Sequence, residues 1–273
     1  MNCPYCAATT TRKRTKKTKL GYTTFYCPHC RCTFNERTGK PFNYLAFPTD
    51  VVLLAVVWRL RYKLSLCDIA EIFLARGFVF THEAIRDWET RFAPLIAEQL
   101  RIMRGGQAGK SWYVDETYMQ VNGKWCYWYR AIDHHGNLVD SLLSEKRNME
   151  AAQRFFQQAV AVVGPVPDRV TTDGHTSYPR AIRETIGNDV QHRTNKYLNN
   201  RLEQDQRDIK QRYYPMRGFG TFDSAARFCC AFDEIRNYFR SRRMTGEVVP
   251  LLEQRLVFLQ RLTALQTSIQ AAS

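Results

Sequence analysis

The sequence lacks a hydrophobic run long enough to cross a membrane. Its longest apolar stretch, Val51 to Trp58, is far shorter than the roughly 20 residues that a membrane-spanning helix needs. The N-terminus is cysteine-rich and then basic, without the apolar segment of a signal peptide. We therefore expect a cytosolic protein, and the reducing cytosol favours metal binding or free thiols over disulfides for its nine cysteines.

Acidic residues are scarce relative to basic ones. The 273 residues include 40 Lys or Arg and 26 Asp or Glu, which gives a net charge of +14 and a pI near 9.5. This bias indicates a polyanionic partner, because Lys and Arg release counterions from a phosphate backbone. Charge alone does not exclude a basic protein without such a partner. The hydrophobic share of 44% is typical of a globular protein with one substantial core and one or two small modules.

Large aliphatic residues are few in residues 1–40, so this segment builds little hydrophobic core unaided. It holds five cysteines, four of them in two CxxC pairs separated by twenty residues. That spacing is typical of a zinc ribbon, whereas a redox site needs one pair at the start of a helix. Cys32 is an alternative ligand, and His29 is a weaker one. The expected zinc ligands are Cys3, Cys6, Cys27 and Cys30.

The segment between the two cysteine pairs is strongly basic and predicts a solvated hairpin rim. Nine of residues 1–40 are Lys or Arg, and only Glu36 is acidic. A run of like charge is often no more than a solvated face, but one with so little acid is at least as well suited to DNA phosphates. The expected DNA contacts are Arg12, Lys13, Arg14, Lys16 and Lys17.

Residues 41–106 show apolar residues at helical spacing. A helix from Ser65 to Ala75, a turn containing Gly77 and a helix from Thr81 to Phe92 have the lengths typical of a helix-turn-helix. Any pair of packed helices gives a similar pattern, so a DNA-binding role for this segment is one of two interpretations.

The second of these helices would present His82, Glu83 and Arg86 to base edges and phosphates, with Arg91 as a further candidate. Taken by itself, His82 is more often a surface histidine than a specific contact. Trp88 and Phe92 are four residues apart, which predicts that they lie in the hydrophobic core rather than against DNA.

From Ser111 the apolar period changes from that of a helix to that of a strand. Asn122-Gly123 is a strong hairpin signal between two runs rich in aromatic and β-branched residues. Three antiparallel strands, then a helix, a strand and a helix, predict an α/β fold with a mixed sheet flanked by helices, within residues 107–243. Residues 244–273 form a leucine-bearing helical tail, suited either to its own domain or to a second copy. The expected strands are 111–121, 124–133, 138–143 and 169–172, and the expected helices are 149–163, 177–186, 199–213, 222–242 and one after residue 250.

Two aspartates of this region are placed as in a metal site. Asp115 lies within an apolar strand, where a carboxylate is costly unless it is paired, hydrogen-bonded or metal-bound. Asp173 ends a buried strand and precedes Gly174, whose backbone can approach a ligand closely; the alternative role of Asp173 is a helix cap. Strand alternation places Glu116 on the face opposite to Asp115. Asp133 starts a turn and is better explained as a turn residue.

A third carboxylate is expected from the helix over 199–213. Glu203 lies at the edge of the apolar face of this helix, on the same flank as Arg207 and Lys210, whereas Asp205 lies on the other flank. A metal ligand belongs at such an edge, beside cations that can hold a DNA strand. The competing carboxylates are Glu116, Asp133 and Asp205.

These segments together resemble the insertion-sequence-six family of DDE transposases, within the retroviral-integrase superfamily. The resemblance runs from roughly Tyr44 to Arg240, and the motifs occur in the family's order. They cover the start of the helix-turn-helix, the first catalytic strand with its hairpin, and the second and third catalytic positions. The matching segments are Leu60–Ser65, Val114–Tyr118, Gly123–Trp125, Tyr129–Ala131, Thr172–Asp173, Lys196–Asn200 with Glu203, Asp205 and Lys210, and Arg217–Phe219.

The resemblance implies an RNase H-like catalytic domain with Asp115, Asp173 and Glu203 as its catalytic triad. These carboxylates would hold two Mg²⁺ or Mn²⁺ ions per active site, for cleavage of a DNA strand and its transfer to target DNA. The implied partners are double-stranded DNA, as terminal inverted repeats and as target, and at least one further copy of the chain. The family also suggests a nucleoid location and a replicative route. Phosphates near the site would be held by Arg207, Lys210 and Arg217.

The sequence departs from the family in three respects. Only 29 residues separate Asp173 from Glu203, slightly fewer than usual, which we interpret as a shortened loop near Gly187. Gln206 stands where the family usually has His, and the four-cysteine segment occurs in only some relatives. Two rival hypotheses are a DNA-binding regulator on an inactive transposase scaffold and a nuclease of the same fold without strand transfer. An intact triad argues against the regulator.

Overall fold

The computed structural model describes residues 1–194, 209–213, 216, 218–240 and 250–272. Near the N-terminus, an antiparallel sheet contains in chain order the strands β1 (Arg12–Lys17), β2 (Thr23–Tyr26) and β3 (Thr33–Asn35). The buried cluster beside this sheet consists of Cys3, Cys27 and Phe34. So small a cluster supplies little hydrophobic stabilisation, as the scarcity of aliphatic residues predicted.

The next elements are the helices α1 (Thr49–Arg61), α2 (Leu66–Leu74) and α3 (His82–Arg104). A capping box starts α2: the Ser65 hydroxyl accepts from the amide of Asp68, and the Asp68 carboxylate accepts from the amide of Ser65. Gly77 has a φ of 82°, which lets the chain turn between α2 and α3 without strain. The two helices agree with the sequence prediction, but α3 continues past Phe92 as far as Arg104.

The strands of the central sheet are β4 (Ser111–Val121), β5 (Lys124–Asp133), β6 (Leu138–Ser144), β7 (Arg169–Thr172) and β8 (Gln191–Thr194). Their order is β6-β5-β4-β7-β8; β4, β5 and β6 are antiparallel, whereas β7 runs parallel to β4 and β8 parallel to β7. The turn between β4 and β5 has positive φ at both Asn122 and Gly123, as a two-residue hairpin turn of this kind requires. This mixed sheet is RNase H-like, in agreement with the expected fold class. The edge strand β8 was not predicted from the sequence.

The remaining helices are α4 (Met149–Val163), α5 (Ser177–Thr185), α6 (Phe222–Phe239) and α7 (Leu251–Ala272). α4 and α5 cover one face of the sheet, where Trp112 of β4 and Phe155 of α4 belong to one buried cluster. α3 and α6 cover the other face, where Trp128 of β5 is buried. The helical stretch 209–213 adds to this second core, and the rest of the helix expected over 199–213 lies outside the described residues.

One hydrophobic core joins the helices α1–α3 to the sheet and α6. Buried ion pairs reinforce the same contact. The Arg130 guanidinium of β5 donates to both carboxylate oxygens of Asp233 on α6, at 2.7 and 2.9 Å. Arg104 of α3 donates to Glu234 of α6 at 2.6 and 2.7 Å. Burial raises the pKa of Glu234 above its ordinary value, and the hydrogen bonds and charge of Arg104 oppose this rise.

The C-terminal helix α7 has two kinds of apolar residue. Leu265 and Ile269 are buried in the core that contains α3 and α6. Leu252, Leu256 and Leu259 remain exposed. α7 therefore packs on its own chain through one set of apolar residues and leaves another set exposed. Among the described helices, none combines the length and the apolar character that crossing a membrane requires.

Candidate active site

Asp115 and Asp173 lie side by side on neighbouring parallel strands. β4 and β7 pair Tyr113 with Thr171, so the residue two positions further along each strand lies at the same level. Asp115 is within β4, whereas Asp173 directly follows the last residue of β7. Their carboxylate oxygens come within 4.8 Å of each other. Gly174 follows with a φ of 91°, which glycine adopts without strain and which turns the chain away from the site.

Backbone amides orient both aspartates. The Oδ1 atom of Asp115 accepts a hydrogen bond from the amide of Glu116 at 2.8 Å, and that of Asp173 accepts one from the amide of His175 at 3.0 Å. The alternative role of Asp173 as a helix cap does not apply, because Thr176 occupies the cap position of α5. The second carboxylate oxygen of Asp173 faces its neighbours in the site.

Glu116 joins the same cluster of carboxylates. Its side chain is buried, and one of its oxygens lies within 4.8 Å of oxygens of Asp115 and Asp173. Tyr129 and Tyr178 lie near it, and burial together with the charge of Glu116 raises the pKa of both phenols above their ordinary value. From the sequence, Glu116 was a competing carboxylate; the structure places it beside the two predicted aspartates.

Arg147, which precedes α4, holds Glu116 and Asp173 together. Its Nε atom donates to Glu116 at 3.1 Å, and its Nη2 atom donates to Oδ2 of Asp173 at 3.0 Å. Burial has the largest single effect and lowers the pKa of Arg147. The hydrogen bonds and charge of Glu116, together with interactions with Tyr118 and Asp173, outweigh burial and raise the pKa of the guanidinium above its ordinary value. Sequence analysis missed this residue, because an arginine in a loop has no periodic signal.

The donor atoms of this cluster fit a divalent metal ion. Carboxylate oxygens are the ligands that Mg²⁺ and Mn²⁺ prefer, and three carboxylates within 4.8 Å provide them. Asp133 stays apart: it is buried and accepts hydrogen bonds from the amides of His135 and Asn137, as a turn residue does. Lys210 is exposed on the helical stretch 209–213. The expected site residues that lie outside the described residues are Glu203, Arg207 and Arg217, together with the competing Asp205.

The four predicted zinc ligands also converge. The sulfur atoms of Cys3 and Cys30 are 3.5 Å apart, and those of Cys6 and Cys27 are 3.6 Å apart. A disulfide has a bond of about 2.05 Å. Four thiolates at 2.3 Å from a tetrahedral zinc ion would be about 3.8 Å from one another. The observed separations are too long for disulfides and close to those of a tetrahedral zinc site. The two alternative ligands, which lie outside this cluster, are Cys32 and His29.

Comparison with known proteins identifies the family. A family model described as a DDE domain matches residues 109–242. The transposase of insertion sequence element IS257 in transposon Tn4003 of Staphylococcus aureus is 38% identical over 175 residues, which cover 63% of this chain and 77% of that protein. The transposase of the insertion sequence-like element IS431mec of S. aureus strain Mu50 gives the same figures. The chain belongs to the insertion-sequence-six family of DDE transposases.

Among solved structures, the transposase is similar to the HTLV-2 integrase catalytic core domain in complex with magnesium in its dimeric form. The similarity has a TM-score of 0.38 and 14% identity, and covers 52% of the transposase and 95% of the integrase domain. Family membership makes the transposase a metal-dependent enzyme that binds DNA, cleaves it and transfers the cut strands. Membership of this family favours the transposase hypothesis over the two rival hypotheses, a DNA-binding regulator and a nuclease without strand transfer.

The cations predicted to contact DNA are placed on the surface of the transposase. The five basic residues expected in the ribbon all lie on β1, and every residue of this strand is exposed. His82 and Arg86 are exposed near the start of α3, and both contact Glu83, at 3.1 and 3.2 Å. Trp88 and Phe92 of the same helix are buried, which confirms the prediction that they belong to the core.

Proposed function

We propose that Asp115, Asp173 and Glu203 form the catalytic triad at which the transposase cuts the ends of its element and joins them to target DNA. The observation that carries the proposal is the register of β4 and β7, which brings two carboxylates from distant parts of the chain within 4.8 Å. Glu203 would approach from the segment before the helical stretch 209–213.

The proposed cofactor is a pair of Mg²⁺ or Mn²⁺ ions in each active site. Bound there, the metal supplies an activated water or 3′-hydroxyl and neutralises charge on the phosphodiester. The residues of the chain hold this arrangement in place. His175 fixes Asp173 through its backbone amide, and Arg147 keeps Asp173 beside Glu116. The cations proposed to hold phosphates near the site are Arg207, Lys210 and Arg217.

We also propose that the four-cysteine cluster binds one structural Zn²⁺. The separations of 3.5 and 3.6 Å between sulfur atoms support a tetrahedral thiolate site. The hydrophobic cluster beside the three short strands is small. Bonds between zinc and the four cysteines would supply the folding free energy that a larger hydrophobic core would otherwise provide.

We also propose a role for each segment of the chain. Residues 1–40 and 41–106, a zinc ribbon and a helix-turn-helix, would recognise the terminal inverted repeats on the nucleoid. Residues 107–243 would carry the chemistry, and 244–273 would pair two copies. The exposed Leu252, Leu256 and Leu259 of α7 support a homodimer or larger assembly, since two element ends must be held together.

A strand-transfer assay tests the proposed function. Purified transposase is given either intact element ends, which report cleavage, or pre-cut ends, which report joining, with target plasmid and Mg²⁺. We expect Asp173→Asn to bind the ends as tightly as wild type and to lose cleavage and joining. Asp168→Asn is the matched control, because this aspartate is exposed near the start of β7 and pairs with Lys110. If the wild type cuts without joining, the nuclease hypothesis is favoured. If the wild type shows no cutting and no joining, the regulator hypothesis is favoured. An active Asp173→Asn variant would refute the assignment of the triad.

A further inference from the structure

A second cleft lies between the helices α1–α3 and a set of described residues between positions 212 and 228. It encloses about 670 Å³, and neither Asp115 nor Asp173 lines it. Five cationic side chains line it among the described residues, against only two carboxylates, those of Asp68 and Glu89. We call it the basic cleft. Its cations are Arg59, Lys63, Arg86, Arg212 and Arg227.

The two carboxylates of the basic cleft are already engaged. Asp68 accepts a hydrogen bond from the amide of Ser65 at 2.7 Å, and this bond lowers the pKa of its carboxyl group. Glu89 accepts from Nε of Arg59 at 3.0 Å. In the described part of the chain, three cations of the cleft therefore have no carboxylate in ion-pair contact. These are Lys63, Arg212 and Arg227.

Arg212 is the most informative of the three. Its side chain is 4% exposed, and its Nε atom has no hydrogen-bond partner within the described residues. Burial, and then the charge of Arg59, lowers the pKa of Arg212 to about 10, so it remains charged at neutral pH. Its Nη2 atom donates to the backbone carbonyl of Arg59, and the charge of Glu89 partly opposes the lowering of its pKa. Glu89 is already paired with Arg59, and a buried cation that shares its counter-charge in this way is costly. An anion in the cleft would supply a further counter-charge.

Two helices begin at the wall of the cleft. Ser65 and Leu66, at the start of α2, line it, and so does Ser224 in the first turn of α6. The N-terminal end of a helix carries partial positive charge, which favours phosphate. Ser65 and Thr221 already accept from one amide of each helix, so the dipole rather than those amides is what the cleft gains. The helix ends and the three cations therefore point to the same kind of ligand.

We propose that the basic cleft binds the sugar–phosphate backbone of duplex DNA away from the scissile bond. The inference rests on the proposed function, because it takes the ligand to be the same DNA that is cut at the carboxylate cluster. A phosphate backbone offers repeated negative charges along a line, which suits several cations spread along one cleft better than a single small anion does.

The position of the cleft relative to the active site supports this ligand. Phe219, which lines the cleft, forms a bridge with Val121 of β4, six residues along the strand from Asp115. At about 3.3 Å per residue this separation is about 20 Å. A duplex advances 3.4 Å per base pair, so the cleft would contact DNA about six base pairs from the cut.

The test is DNA binding by the double variant Lys63→Gln/Arg227→Gln. Neither side chain is buried, so the fold is retained. The matched control, Arg180→Gln/Arg183→Gln, removes two charges from α5 on the opposite face of the sheet. Fluorescence anisotropy with a labelled duplex of about 30 base pairs is measured over a range of salt concentrations. We expect the cleft variant to bind about tenfold more weakly, with a salt slope smaller by about two. Affinity and slope equal to those of the control would overturn the proposal.

Arg212→Met provides a second measurement. Replacing a buried charge that shares its counter-charge with Arg59 by an apolar side chain of similar length should preserve or increase resistance to urea while weakening DNA binding. A loss of folding stability with unchanged DNA affinity would show that Arg212 is structural and would count against the cleft.

Failure of this inference is separable from failure of the proposed function. Asp115→Asn leaves the basic cleft intact, so it should bind the duplex with wild-type affinity and salt slope while losing cleavage. If the cleft variants bind and cut DNA as the control variant does, only the proposal that the basic cleft binds DNA is overturned. If the wild-type protein binds the duplex with the expected salt slope but never cuts it, the proposed catalytic function is overturned and the DNA-binding role of the cleft is retained.

Discussion

Replacing Arg147 by methionine should destabilise the transposase by about 3 kcal/mol. The Glu116 side chain is 1% exposed and its ion-pair partner Arg147 is 22% exposed. Removing one member of a buried pair leaves the other charge uncompensated, which costs roughly 3–5 kcal/mol. The lower end of this range applies, because the guanidinium retains some contact with water and part of its interaction is screened.

The measurement is urea unfolding followed by the fluorescence of the five tryptophans. A double-mutant cycle with Glu116→Gln isolates the pair, and the two changes together should cost about 2 kcal/mol less than their sum. Arg154→Met, on the neighbouring helix α4, is the control; Arg154 is exposed and donates to the hydroxyl of Ser144. It should change stability by less than about 0.5 kcal/mol. The reasoning fails if Arg147→Met is as stable as wild type, or costs as much when Glu116 has been replaced.

Two further predictions concern the ribbon and the sheet edge. Metal analysis should find about one zinc per chain in the wild type and in Cys32→Ser, but none in Cys6→Ser; equal zinc in the two variants would contradict the proposed ligand set. Burial lowers the pKa of His192 below its ordinary 6.5, so the unfolded chain binds this proton more readily than the folded one. The free energy of unfolding should therefore show no loss from His192 above pH 6.5 and should decrease as the pH falls below 6.5. His192→Gln should reduce this decrease in urea titrations. An identical pH profile in the variant would argue against this role.

The central hairpin and α4 could be predicted from the sequence because local chemistry determines both. Asn122 and Gly123 tolerate the positive φ that the turn needs, and they join two strands whose apolar residues alternate. α4 runs over Met149–Val163 as predicted, with Asn148 as its cap and Gly164 at its end. In each case short-range preferences and burial favour the same structure.

The strand β8 and the position of Arg147 could not be predicted in this way. Gln191–Thr194 is polar throughout and has no apolar alternation; it is a strand because its backbone pairs with β7. Arg147 reaches the site only because the sheet brings the loop before α4 close to the end of β7. Such contacts depend on tertiary pairing, which no local pattern encodes.

Glu116 illustrates a limit of strand alternation. The rule placed it on the face opposite to Asp115, and its burial near Tyr129 and Tyr178 agrees with that placement. The rule does not say how far a side chain reaches. The parallel neighbour β7 ends beside β4, and Arg147 draws the oxygens of Glu116 and Asp173 towards one point.

The long helix α3 begins beside the exposed His82 and ends with Arg104 bonded to α6 under the sheet. A single span thus connects the surface proposed to read an element's end with the layer that supports the cutting centre. Under the proposed function, the length of this one helix would set the distance from the recognised bases to the broken bond. Inserting half a helical turn of DNA between them would rotate the scissile phosphate to the far side of the duplex, out of reach of the carboxylates.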